Sequence, residues 1–213
     1  MSGVRAQWSR RLAAAASRGD AVLPGAGASQ AERLAFIGGF VDDYGHRRPV
    51  DAAFLACLLG LEGSGLAAGG SHAPDVELWS MCARGDSTPL PPWLDGSGPL
   101  TPGHQTTAIE IWTETELACL HALWRLARSR AEPRLRGRCL DAAEWHLREL
   151  HPDNVTGHPW GVHVFAELAD MRNNPDAQVH AELMLHASMI DGGRPDRFSA
   201  CVLIDAAREL STG

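Results

Sequence analysis

The chain has 213 residues, 45% of them hydrophobic, and a formal net charge of −7, which suffices for one substantial domain with its own core and no disulfide or metal staples. All 19 basic residues are arginine, so Schiff-base, pyridoxal-phosphate-anchoring, Walker-type and kinase-type lysine chemistry is excluded, and the acidic balance argues against nucleic-acid binding, where a basic surface supplies most of the affinity. No apolar run reaches the roughly 20 residues of a membrane span, and the five scattered cysteines show no Cys-x-x-Cys spacing, so a soluble, cytoplasmic protein with reduced thiols and no membrane partner is expected.

Residues 1–28 form an N-terminal segment in which Arg5, Arg10, Arg11 and Arg18 precede the first acid, Asp20, and Trp8, Leu12, Ala15 and Ala16 recur at helical spacing. A frayed or docking N-terminal helix is preferred over a transit peptide or a surface-lying helix. Ser29 with Glu32 is a capping box ahead of Leu34, Ile37 and Val41, which predicts a helix over about 30–42. Pro49 opens another to about Leu61, burying Phe54, Leu55, Leu58 and Leu59, and a short one follows near 75–84. Glycines 63, 65 and 69 between them do not carry the dinucleotide-binding spacing. From Gly85 to Thr106 prolines and glycines are too dense for regular structure, so residues 85–112 read as a long loop, a lid or an arm that wraps a neighbour.

The second half, 113–213, is cleaner. Thr113 with Glu116 reads as a second capping box, for a helix over about 114–130 with Leu117, Leu120, Trp124 and Ala127 on one stripe. Pro133 starts the next. His158 or Thr156 caps a third helix that begins at Pro159, with Trp160, Val164, Leu168 and Met171 inward. Asn174 caps a fourth at Pro175, carrying Val179, Leu183, His186 and Ile190 and stopped by Gly192-Gly193, and Asp196 caps the last. Five helices joined by short turns imply antiparallel neighbours. The fold class is therefore all-α: antiparallel helical hairpins, as a bundle or an incomplete α/α array, in a single domain whose N-terminal half is rich in loops.

Three clusters could carry chemistry. His163 with Glu167, and Glu182 with His186, each place imidazole and carboxylate on one helix face. An antiparallel hairpin about Asn173 would bring the four into one layer suited to a divalent transition metal, although the competing reading is two ion pairs worth a few tenths of a kcal/mol each. The stretch from His151 to His163 offers His151, Asp153, His158 and Trp160 as a ligand site, with helix-end and turn roles as the alternative for nearly every residue. Arginines 125, 128, 130, 134, 136 and 138 surround the turn at Glu132-Pro133. Positive charge at a helix start is mildly unfavourable, so Arg134, Arg136 and Arg138 read as candidate anion ligands. His121 reads as a hydrogen-bonded core histidine, and no nucleophile elbow is present. The expectation is a helical binding or protein-interaction module, as a homo-oligomer or with a protein partner. The alternative is a metal-dependent or His/Glu acid–base enzyme with its site between the helices at 159–171 and 175–190.

Overall fold

The structure, a computed structural model, describes residues 3–61, 73–85, 89–101, 108–150 and 156–211. The described residues hold nine α-helices: α1 (Gly3–Ala16), α2 (Gln30–Gly39), α3 (Pro49–Leu58), α4 (Pro74–Arg84), α5 (Ile109–Ser129), α6 (Pro133–Glu149), α7 (Val162–Arg172), α8 (Pro175–Ala187) and α9 (Arg197–Ser211). The all-α class follows. The sole sheet among the described residues is a two-residue antiparallel pairing of β1 (Met189–Ile190) with β2 (Arg194–Pro195). None of these helices is long and apolar enough to cross a membrane.

Local signals set most helix starts. Ser29 accepts from the Glu32 amide while the Glu32 carboxylate takes the Ser29 amide at 2.7 Å, and prolines begin α3, α4, α6 and α8, where a missing N–H costs nothing. Asn174 accepts from the amides of Asp176 and Ala177, and Asp196 from those of Phe198 and Ser199. Two expectations need correction. α5 begins at Ile109 rather than near 114, because Glu116 does not cap: its buried carboxylate accepts from the amides of Leu100 and Thr101 at 2.5 and 2.6 Å and from the Thr101 hydroxyl at 2.7 Å. That contact, with Leu94 and Leu100 buried, packs residues 89–101 onto the body, around a 3-10 turn at Pro92–Asp95. The described part of the long loop is therefore no detached arm, while 86–88 and 102–107 lie outside the described residues. α7 begins at Val162 rather than Pro159, since Gly161 has a φ of +72° and a Cβ there would meet Leu120 at 3.3 Å and the Leu117 carbonyl at 3.4 Å.

α1 runs antiparallel along α9, with the Arg5 guanidinium donating to the carbonyls of Leu210 and Glu209 and Ser9 to that of Ala207. α7 and α8 form the expected hairpin about Asn173, whose φ is +49°. The face of α8 differs from expectation: Ala177, Ala181 and Met184 are buried, while Val179 and Leu183 are exposed, as is Met171 on α7. Small side chains at 177 and 181 let the α8 backbone approach α7, which turns the larger apolar groups outward. The buried apolar side chains form one connected cluster from α1 to α9. At its centre Phe54 lies edge-on to Trp79 and Trp160, each at 5.0 Å between centroids, and Trp160 packs on Phe198 at 5.4 Å. All five cysteines are free and buried.

Candidate functional site

α3, α4 and α5 start beside one another and enclose a cleft of about 450 Å³. The two proline starts place Arg48 just before α3 and Asp75 in the first turn of α4, and Glu110 and Glu114 stand four residues apart in the first turns of α5. Trp160 forms the floor, and Val50, Val76 and Ile111 are among its apolar walls. Few polar groups among apolar walls, at this volume, is the usual make-up of a small-molecule site.

The charges are unequally matched. Arg48 is ion-paired: its Nε lies 3.0 Å from Asp51 Oδ1, Nη2 lies 3.8 Å from Asp42 without a hydrogen bond among the described residues, and the guanidinium carbon sits 3.8 Å above the Phe198 ring. Glu114 accepts from the Trp160 indole at 2.9 Å, and Asp75 from the Val76 amide at 2.9 Å. No ion pair is found for Asp75, Glu110 or Glu114 among the described residues. Burial raises Asp75 and Glu114 above the usual carboxylate range. Asp51 is raised by the same cause in spite of Arg48.

His158 links this cleft to α9. Arg48 donates to its Nε2, so the imidazole proton sits on Nδ1 and is donated to the Ser199 hydroxyl at 3.0 Å; Ser199 in turn donates to Asp196 at 2.5 Å. Burial works against the Asp196 carboxylate, yet the His158 and Ser199 side chains pull it down to about 2. The three residue types resemble a nucleophile triad, but the proton order is reversed: a serine nucleophile needs an imidazole lone pair, and here the imidazole is the donor. The chain of bonds is a helix cap that orients Arg48.

The sequence-derived metal quartet does not assemble, and no group of three or more metal-ligating side chains is found among the described residues. His163 is fully buried and turns toward α5, with its ring 4.3 Å from that of His121. Burial and the neighbouring His121 push it well below its ordinary value, so it is neutral. Glu167 pairs with Arg5 at 2.8 Å and Arg136 at 3.2 Å. Glu182 instead meets Arg11 through two bonds of 2.5 Å, and His186 is exposed. The hairpin exists, but α8 turns Ala177 and Ala181 inward, and the two glutamates pair with arginines of other helices instead of with each other's histidines.

His151 and Asp153 lie outside the described residues, while Trp160 lines the cleft and His158 reaches it only through Arg48. The arginine trio separates. Arg134 meets Asp95 at 2.8 Å on the surface, and Arg138 donates to the carbonyls of Leu94, Gly98 and Pro99, so it holds the loop. Arg136 lines the pocket at the α5–α6 turn, while Arg134 and Arg138 border a smaller one of about 240 Å³. His121 is the core histidine expected, 3.2 Å from Asp205, which also takes Arg125 at 2.6 Å.

Sequence reasoning missed Arg48, Asp75, Glu110 and Glu114. Two proline helix starts signalled where Arg48 and Asp75 stand, and the four-residue spacing of Glu110 and Glu114 was a signal once α5 is known to begin at Ile109. No family model, curated protein or solved structure matches the chain.

Proposed function

We propose that the chain is a small-molecule binding module whose cleft between α3, α4 and α5 takes an amphipathic organic cation. The observation that supports this reading is the surplus of negative charge: Asp75, Glu110 and Glu114 line an apolar-walled cleft whose one arginine is already matched by Asp51 and Asp42. A cation there would gain charge-assisted hydrogen bonds in a low-dielectric setting, and its apolar part would cover Val50, Val76 and the Trp160 floor. Calorimetric titration with 2-phenylethylamine tests it, with neutral 2-phenylethanol as the uncharged control. Saturable binding of the amine alone, weakened in Glu114→Gln, is expected. Equal binding of both compounds, or of neither, overturns it.

A second reading, acid–base catalysis, is favoured by one observation: burial raises the carboxyls of Asp75 and Glu114 on neighbouring helices, and a carboxyl that keeps its proton nearer neutral pH can act as a general acid. Turnover of aryl esters or glycosides that disappears in Glu114→Gln would favour it over binding alone.

A further inference from the structure

On a different face, the α5–α6 turn closes a pocket of about 360 Å³ that shares no residue with the cleft. Three guanidiniums reach it from three separate helices: Arg5 from α1, Arg128 from the end of α5, and Arg136 from the first turns of α6. Each is held from behind. Arg5 is tied to the Leu210 and Glu209 carbonyls and to Glu167, Arg128 pairs with Glu209 at 2.7 Å, and Arg136 pairs with Glu167 while its guanidinium carbon sits 4.9 Å over the Trp124 ring. Arginines fixed in this way lose little entropy on meeting a ligand, and their planar forks match tetrahedral oxyanions.

Unmatched polar atoms gather at the same place. Arg136 Nε is buried with no hydrogen-bond partner among the described residues. Behind the Trp124 floor, His163 is fully buried, edge-on to Trp124 at 6.0 Å, with neither ring nitrogen bonded, and Glu209, behind Arg128, is fully buried with Oε2 unbonded. Native interiors satisfy nearly all such groups, and of these atoms the donor Arg136 Nε belongs to the pocket lining itself. The charge balance is positive behind the rim. Two carboxylates back the three arginines, and burial together with Asp205 pushes one of them, Glu209, up to about 7 despite Arg128 and Arg125. Glu132 stands at the rim, the one carboxylate of the pocket lining, and opposes an incoming anion.

We infer that this pocket binds the phosphate group of a small phosphorylated ligand, with the three guanidiniums on the phosphate and the organic part against Trp124, Ala127 and Pro133. A carboxylate offers fewer acceptor oxygens to three forks, and an inorganic ion would leave the aromatic floor uncovered.

Calorimetric titration of the full chain at fixed ionic strength, with phenyl phosphate, inorganic phosphate and benzoate as probes, decides the matter. The expected result is saturable one-to-one binding of phenyl phosphate, tighter than either other probe. Arg136→Gln should weaken it about tenfold or more, the loss of one charge-assisted bond, and Arg128→Gln should do the same. Arg134→Gln, a neighbouring exposed arginine outside the pocket, should leave it unchanged. Circular dichroism confirms that each variant is folded. No saturable binding, equal loss in Arg134→Gln, or benzoate binding as tightly as phenyl phosphate would each overturn the assignment. The amine titration of the cleft is unaffected by any of these outcomes.

Discussion

Asp205 is 1% exposed and takes Arg125 Nη1 at 2.6 Å and His121 Nε2 at 3.2 Å. Burial alone would raise this carboxyl, but Arg125 and the His121 bond hold it well below the usual carboxylate range. Replacing Asp205 by Asn keeps shape and an acceptor but strands the guanidinium, whose side chain is only 18% exposed. Breaking a buried pair costs about 3–5 kcal/mol. Arg125 keeps the Cys57 carbonyl at 3.1 Å and Glu209 at 3.6 Å, so a cost just below that range, about 2–3 kcal/mol, is expected. At about 2–4 °C per kcal/mol for a chain of this size, the Tm should fall by roughly 4–12 °C. Urea unfolding at pH 7 followed by circular dichroism measures it. Because the folded-state value is depressed, the contribution is present above the unfolded value of about 3.9 and is lost as pH falls below it. The variant should therefore show a flatter acid limb below about pH 4. The double variant Arg125→Met with Asp205→Leu should recover part of the loss, since removing both charges removes the stranded one. A cost under about 0.5 kcal/mol for Asp205→Asn, or strict additivity in the double variant, would refute the reasoning.

Three further outcomes follow from other buried groups. Glu209, raised to about 7, binds its proton more tightly folded than unfolded, so stability should decline as pH rises from about 4.5 to about 7 and level off above, by about 3 kcal/mol. Glu209→Gln should flatten that decline in urea titrations across the window, and an unchanged slope counts against the shift. Glu116→Gln should cost about 2–3 kcal/mol, because an amide nitrogen then faces donors now bonded at 2.5–2.7 Å; its denaturation midpoint matching the parent would show that residues 89–101 are not pinned there. His163→Leu removes two unbonded buried nitrogens and should leave stability at pH 7 equal or higher by about 1 kcal/mol. It should also reduce the loss seen as pH falls below about 6.5, where a neutral buried imidazole is a liability. A loss above about 2 kcal/mol at pH 7 would mean that the imidazole is engaged after all.

The elements that could be read from the sequence are those whose cause is local. Ser29 with Glu32, Asn174 with Pro175, and Asp196 each satisfy backbone amides within three residues, and each helix begins where that chemistry says. Thr113 with Glu116 has the same pattern and a different outcome, because Glu116 finds Leu100 and Thr101 sixteen and fifteen residues back. A capping box is thus legible only when nothing distant competes for its carboxylate. The same rule separates the site residues. His163 and Glu167 share a helix face, as the four-residue spacing requires, but which groups meet that face depends on α1 and α9. Arg5 reaches Glu167, and Glu209 supports Arg128, only because the first and last helices of the described chain close against each other. The cleft depends likewise on α3, α4 and α5 starting side by side. Both pockets are consequences of closure between segments far apart in sequence. In each, one lining residue stood among the sequence candidates: Trp160 in the turn before α7, and Arg136 as one of three arginines whose positive charge at a helix start is unfavourable.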